Sequence, residues 1–142
     1  MGRIVVGIDS SEDSVRALRW AVEEAGLREA ELELVHAYPT PEIVAMPAIV
    51  TMPSDGELRL GAEQIVEHAL AEVGGPGPVP VRTTVRPGAS ARVLCDVAEG
   101  AELLVVGARG LGGFRGLLLG SVSQQVIAHA PCPVLIMVPE RR

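Results

Sequence analysis

Aromatic residues are almost missing from this chain: one Phe, one Trp and one Tyr among 142 residues. A core of packed rings is excluded, and the interior has to be built from Val, Leu, Ile and Ala. That composition suits parallel strands buried on both faces by helices. Cysteine is nearly as scarce. Cys95 and Cys132 form neither a CxxC pair nor a disulfide framework, so they read as small buried or half-buried residues in a reducing cytosol, with a redox pair as the alternative. Positive charge is not in excess: 12 basic against 18 acidic residues give a formal charge of -6. Nucleic acid is therefore a poor partner, while one local phosphate nest for a nucleotide stays open. No apolar run approaches the length of a membrane span. The start, Met1-Gly2-Arg3-Ile4, enters a strand at once and leaves no room for a signal peptide, so the expectation is a cytoplasmic chain away from membranes. Gly2 does not read as a myristoylation site, because Val6 stands where Ser or Thr is wanted.

What is present is an alternation of short apolar runs and helical patterns. Arg3 to Ile8 reads as a first strand, with Asp9 at its carboxyl end. Ser10 and Asp13 have capping-box spacing, and Val15, Leu18, Val22 and Ala25 trace the face of the helix that follows. Gly26 ends that helix or sits in its last turn. Leu32 to Tyr38 is a second strand, stopped by Pro39 and Pro41. The stretch from about 39 to 56 holds four prolines and much apolar material, and is long for a strand-to-helix connection. It reads as a cover for a ligand pocket or another subunit. Ser54 and Glu57 offer a second capping box before the face Leu58, Ala62, Ile65, Ala69 and Val73. Gly74 to Pro78 breaks the chain. Val79 to Val85 is a third strand, Ala89 to Glu99 a short helix, Leu103 to Gly107 a fourth strand, Val122 to Ala130 a fourth helix and Pro133 to Val138 a fifth strand. The alternation predicts one doubly wound α/β domain with right-handed crossovers. The last strand carries no charge, so its edge predicts pairing with a second chain, unless neighbours in its own sheet cover it.

Between the fourth strand and the fourth helix lies a glycine-rich loop, the usual phosphate-binding position of α/β proteins. Five of the ten residues from Gly107 to Gly116 are glycine. The spacing is Gly107-x-x-Gly110, nine residues, then Gly120-Ser121. A dinucleotide fingerprint wants GxGxxG, and a Walker loop wants Gly-Lys-Ser or Gly-Lys-Thr. Neither is here, and the loop has no lysine. Gly107 and Gly110 are expected to let the backbone turn sharply and approach a ligand. The amides behind Gly120 and the hydroxyls of Ser121 and Ser123 are candidate phosphate donors, with Arg109 as a candidate partner for a terminal phosphate and Arg115 a weaker one. Asp9 is read as an acceptor for ribose or adenine, or as a magnesium ligand, with helix capping as the competing role. Ala37 is small enough to let a base lie against the backbone.

The glycine spacing resembles the G-2x-G-9x-G-(S/T) nucleotide loop of the universal stress protein family. Ile4 to Ser11, Leu34-Val-His-Ala37 and the closing Ala130-Pro-Cys-Pro-Val-Leu-Ile-Met-Val138 are similar to the same family. The resemblance implies a five-stranded parallel sheet in order 3-2-1-4-5, of the adenine nucleotide alpha hydrolase-like kind. It implies homodimers paired through the fifth strand and a role in survival under stress. For the ATP-binding branch it implies contacts from Asp9, Ala37, Val106, Gly107, Arg109, Gly110, Gly120, Ser121, Val122 and Ser123. Gly7 joins this set, standing where some members have proline.

The functional expectation is an ATP-binding regulatory stress protein, with magnesium, that engages an unknown protein partner. No general base stands beside the loop: His36 reads as a packed or rim residue, and His68 and His129 have no ligand-spaced partner. Alternatives are a slow magnesium-dependent ATPase, a nucleotide-free dimeric scaffold and a binder of AMP or cyclic AMP.

Overall fold

A computed structural model describes residues 1–40, 53–110 and 119–140. Most of the 39–56 stretch, and Arg115, fall outside them. The described elements are β1 (Arg3–Gly7), α1 (Glu12–Arg28), β2 (Glu31–Tyr38), α2 (Asp55–Glu72), β3 (Val81–Pro87), α3 (Ser90–Val97), β4 (Leu103–Gly107), α4 (Ser121–His129) and β5 (Val134–Met137). The five strands form one sheet in order β3-β2-β1-β4-β5. Every neighbouring pair is parallel. The strand order reverses between β1 and β4. In open parallel sheets that reversal leaves a crevice at the carboxyl ends of the strands.

Side-chain alternation gives the sheet two apolar faces. Ile4, Val6, Leu32, Leu34, Leu103 and Val105 point to one face, where Leu18 and Ala21 of α1 and Ala62 and Val66 of α2 cover them. Val5, Val35, Leu104 and Val106 point to the other, against Leu94 and Val97 of α3 and Val126 of α4. Buried charge is rare and paired. Glu33 is 5% exposed and meets the Arg3 guanidinium at 2.7 Å, and Arg3 also donates to the carbonyls of Val97 and Glu99 beyond the end of α3. Among the described residues, no helix is long and apolar enough to cross a membrane.

Several boundaries differ from the sequence reading. The cap of α1 is Ser11, not Ser10: Ser11 Oγ accepts from the Ser14 amide at 3.1 Å. Ser10 instead takes a left-handed φ of 70°, which turns the chain out of β1 and delays the helix by one residue. Gly26 sits in the last turn of α1, one of its two expected places, and Glu29 caps that helix in a left-handed conformation. Ser54 caps α2 as its spacing implied, accepting from the Glu57 amide at 3.1 Å. β3 begins two residues later than the apolar pattern suggested. Pro80 has no amide to give, but its carbonyl accepts from Leu32 and so opens the ladder. β5 pairs with β4 and forms an edge of the sheet, with Val134 to Met137 half-buried.

Candidate nucleotide site

A cavity of about 540 Å³ opens at the carboxyl ends of β1, β2 and β4, on the face covered by α3 and α4. Its size falls within the range of small-molecule pockets, about 300–1,000 Å³. Sheet alternation explains its floor. Gly7, Ala37 and Val106 each lie two residues beyond Val5, Val35 and Leu104, and so on the same face. Leu94 and Ser90 of α3 form one wall and the first turn of α4 the other. Helices that follow parallel strands run back across the sheet, so both helices present their amino ends to this crevice.

The glycines here answer to space more than to backbone angle. Neither Gly107 nor Gly110 takes a left-handed φ, which corrects the sharp-turn expectation. A Cβ on Gly107 would stand 2.8 Å from Asp13 Cβ and 2.9 Å from the Asp13 carbonyl carbon, because the end of β4 rests directly on the first turn of α1. A Cβ on Gly110 would stand 2.8 Å from Asp9 Oδ2. A Cβ on Gly7 would press on Leu94 and Val106 at 3.1 to 3.3 Å.

Asp9 braces the turn before α1 without capping the helix, and it lines the cavity. Its Oδ1 accepts from the Ser11 amide at 3.0 Å and from the Ser11 hydroxyl, bracing the turn before α1. Its Oδ2 faces Gly110, and Asp9 is the one charged side chain among the described cavity-lining residues. No group of three or more His, Cys, Asp or Glu side chains that could hold a metal exists among the described residues.

At the far end of the loop, Gly120 precedes α4 and offers no side chain to cap it, so the first-turn amides have no side-chain acceptor. The Gly120 amide donates to the Ala108 carbonyl at 2.6 Å. Ser123, only 1% exposed, lies with its hydroxyl 2.8 Å from the Ala108 carbonyl and 3.0 Å from that of Gly120. Its one proton is thus committed to the backbone. Ser123 closes the base of the loop and is not free to donate to a phosphate, contrary to the sequence reading. Ser121 is exposed at the start of α4, and its hydroxyl makes no hydrogen bond among the described residues.

Arg109 is also placed differently from its expected role. It does not line the cavity. Its amide donates to Asp13 Oδ2 at 3.2 Å, and its Nε lies 3.5 Å from the same oxygen. That Nε is buried and makes no hydrogen bond among the described residues, so the contact is an ion pair without hydrogen-bond geometry. The other ten expected residues (Gly7, Asp9, Ala37, Val106, Gly107, Gly110, Gly120, Ser121, Val122 and Ser123) all line the one cavity.

Sequence reasoning did not single out Val35, Leu94, Ser90, Ser14 and Ala108, which also line it. Val35 was legible from the period-2 step back from Ala37. Ser90 was legible as the start of a helix after the Pro87-Gly88 turn. Ser14 and Ala108 carry no local signal. His36 donates Nδ1–H to the Ile8 carbonyl and stays out of the cavity, while His68 and His129 are exposed. Both cysteines are free and half-buried. Burial pushes both thiols up, with Asp96 adding to the effect at Cys95.

The family model described as Universal stress protein family matches residues 1–138. Universal stress protein Rv2623 of Mycobacterium tuberculosis is 38% identical over 145 residues, covering 96% of this chain and 48% of that protein. The chain thus spans about half the length of the mycobacterial relatives. A universal stress protein of Thermus aquaticus, from the 3' region of a QAH/OAS sulfhydrylase gene, is 38% identical over 135 residues and is covered to 96% of its length. A crystal structure of a universal stress protein in complex with cAMP is 29% identical with a TM-score of 0.70, covering 95% of this chain and 94% of that one.

Proposed function

The chain belongs to the universal stress protein family, and from that premise we propose that it is a regulatory protein that binds an adenine mononucleotide and does not turn it over. One observation carries the reading: ten residues expected from the sequence and the family resemblance, from β1, β2, β4 and the two ends of the glycine loop, line a single 540 Å³ cavity. The apolar floor of Gly7, Ala37 and Val106 fits a flat base. Asp9 Oδ2 is the acceptor for a ribose hydroxyl. The amides of Ser121 and Val122 and the Ser121 hydroxyl meet a phosphate at the amino end of α4, where the helix dipole favours an anion.

The cAMP complex of the 29% identical relative supports a monophosphate. A second reading, ATP, is supported by the intact glycine spacing from Gly107 to Ser121. Magnesium has no cage of side chains among the described residues, and with ATP it would be held chiefly by phosphate oxygens beside Asp9. Among the described lining residues there is no histidine or lysine, and Asp9 Oδ1 is engaged by Ser11, which supports binding without turnover. The charge-free β5 edge and family membership support a homodimer through Pro133–Val138, a role under stress and an unidentified protein partner.

Calorimetric competition among AMP, cAMP, ATP, adenosine and GMP tests the reading. The expected result is one adenine nucleotide per chain, with AMP or cAMP binding at least as tightly as ATP. No heat with any adenine nucleotide rejects the site, and a preference for ATP of tenfold or more moves the assignment to the second reading.

A further inference from the structure

The described cavity lining carries one negative charge, Asp9, and no cation. The nearest candidate cation among the described residues, Arg109, stands between two lining residues, Ala108 and Gly110, yet is turned toward Asp13 and does not line the cavity. The reason is Asp13. This carboxylate is 8% exposed in the first turn of α1, and its Oδ2 takes both the Arg109 amide and the electrostatic attraction of Nε. Asp13 cannot retreat, because β4 at Gly107 packs directly against it. The guanidinium is therefore tethered twice, through its backbone and its side chain, to a residue that touches no ligand.

We propose that Asp13 is a positioning residue that sets nucleotide selectivity by holding Arg109 out of the cavity. The inference rests on the mononucleotide reading above and explains it. With Arg109 held away, the described lining offers a second or third phosphate no cation, and its backbone amides at one helix end meet one phosphate group. Among the described lining residues, each further negative charge instead meets the carboxylate of Asp9. Released from Asp13, the same arginine would supply a charge-assisted, two-pronged partner for a β- or γ-phosphate.

The test titrates adenosine, AMP and ATP into the wild-type chain, Asp13→Asn and Asp13→Asn with Arg109→Gln. Asp13→Asn is expected to raise the ratio of ATP to AMP affinity about tenfold, leave adenosine within twofold, and lose the gain when Arg109 is also replaced. The double variant is essential, since removal of a nearby negative charge alone would favour ATP. A gain that survives Arg109→Gln overturns the proposal, as does an unchanged or lowered ratio in Asp13→Asn. If Asp13→Asn does not fold, the Arg109 Nε–H resonance of the wild-type chain decides. AMP and ATP at saturation are expected to leave it in place, and a large shift with either nucleotide overturns the proposal. A wild-type chain that binds none of the three ligands rejects the nucleotide reading itself. A wild-type chain that binds while the ratio stays fixed rejects only the role of Asp13.

Discussion

One face of the sheet lies under helices of 17 and 18 residues, the other under helices of 8 and 9. At 1.5 Å per residue the first pair reaches roughly 26 Å and the second roughly 13 Å. The strands are the same strands, and their apolar side chains alternate evenly between the faces. The long pair covers its side: Leu18, Ala21 and Val66 are all within 1% of full burial. The short pair covers only part of its side, and the cavity stands where α3 and α4 begin. The site is thus made by a shortage of cover as much as by the residues that line it. The small floor residues Gly7 and Ala37 keep that gap from filling with side chains.

The contrast can be broken from either side. Leu18→Ala, on the closed face, is expected to cost about 2–5 kcal/mol of stability, because the space cannot collapse under two long helices. Chemical denaturation measures the loss, and nucleotide affinity of the folded fraction should stay within twofold. Gly110→Asp, on the open face, should act in the opposite way. It sets a second carboxylate against Asp9 Oδ2, 2.8 Å from where its Cβ would stand, and should weaken AMP at least thirtyfold, about 2 kcal/mol. Its denaturation midpoint should move much less than that of Leu18→Ala. Equal stability losses in the two variants would mean that the faces do not differ as described.

Ser123→Ala sits between these cases, since Ser123 belongs to the open face but is buried. Removing its hydroxyl deletes one hydrogen bond while the Ala108 and Gly120 carbonyls keep the amides of Gly120 and Gln124 as donors, at a cost of about 0.5–1.5 kcal/mol. Affinity should fall only a few-fold, because Ser123 braces the loop without giving its proton to the ligand. A loss of affinity as large as that of Gly110→Asp would make it a direct contact instead.

The smallest effect concerns pH. Burial raises the thiols of Cys95 and Cys132, both on the open face. A raised thiol contributes stability that is fully present below the unfolded value, roughly 8.5, and lost as pH rises through the folded value. Melting temperatures should therefore decline modestly as pH rises above about 8.5. Replacing both cysteines by serine should flatten that alkaline limb, while any decline due to Tyr38 on the closed face, whose phenol is raised by burial and by Asp55, persists.

Much of this was legible before any coordinates. The run from Leu103 to Gly107 marked a strand, and the glycine spacing after it marked the loop. Ala37 was singled out by its small size at the end of the second strand, and it lines the cavity. The order of the strands was not legible from periodicity, because adjacent β1 and β4 lie about a hundred residues apart; it came through the family resemblance. Two errors were local. Ser10 and Ser11 are equally good caps by type, and only the left-handed φ of Ser10 decides between them. Val79 and Val81 are equally apolar, and only the ladder bond to the Pro80 carbonyl separates them. The contacts of Arg109 and Ser123 were hidden for another reason. The partner of Arg109 lies 96 positions earlier in the chain, and that of Ser123 lies on the opposite side of the loop. No window of sequence joins such pairs, and they decide which polar groups remain free for a ligand.

The most direct test of the account is an amide chemical-shift map of the wild-type chain titrated with AMP. The account predicts shifts gathered on the open face, at Gly7, Asp9, Ala37, Ser90, Val106 and Ser121, with Leu18, Ala21 and Val66 unmoved. Saturation without shifts at these residues, or shifts centred under α1 and α2, would contradict it.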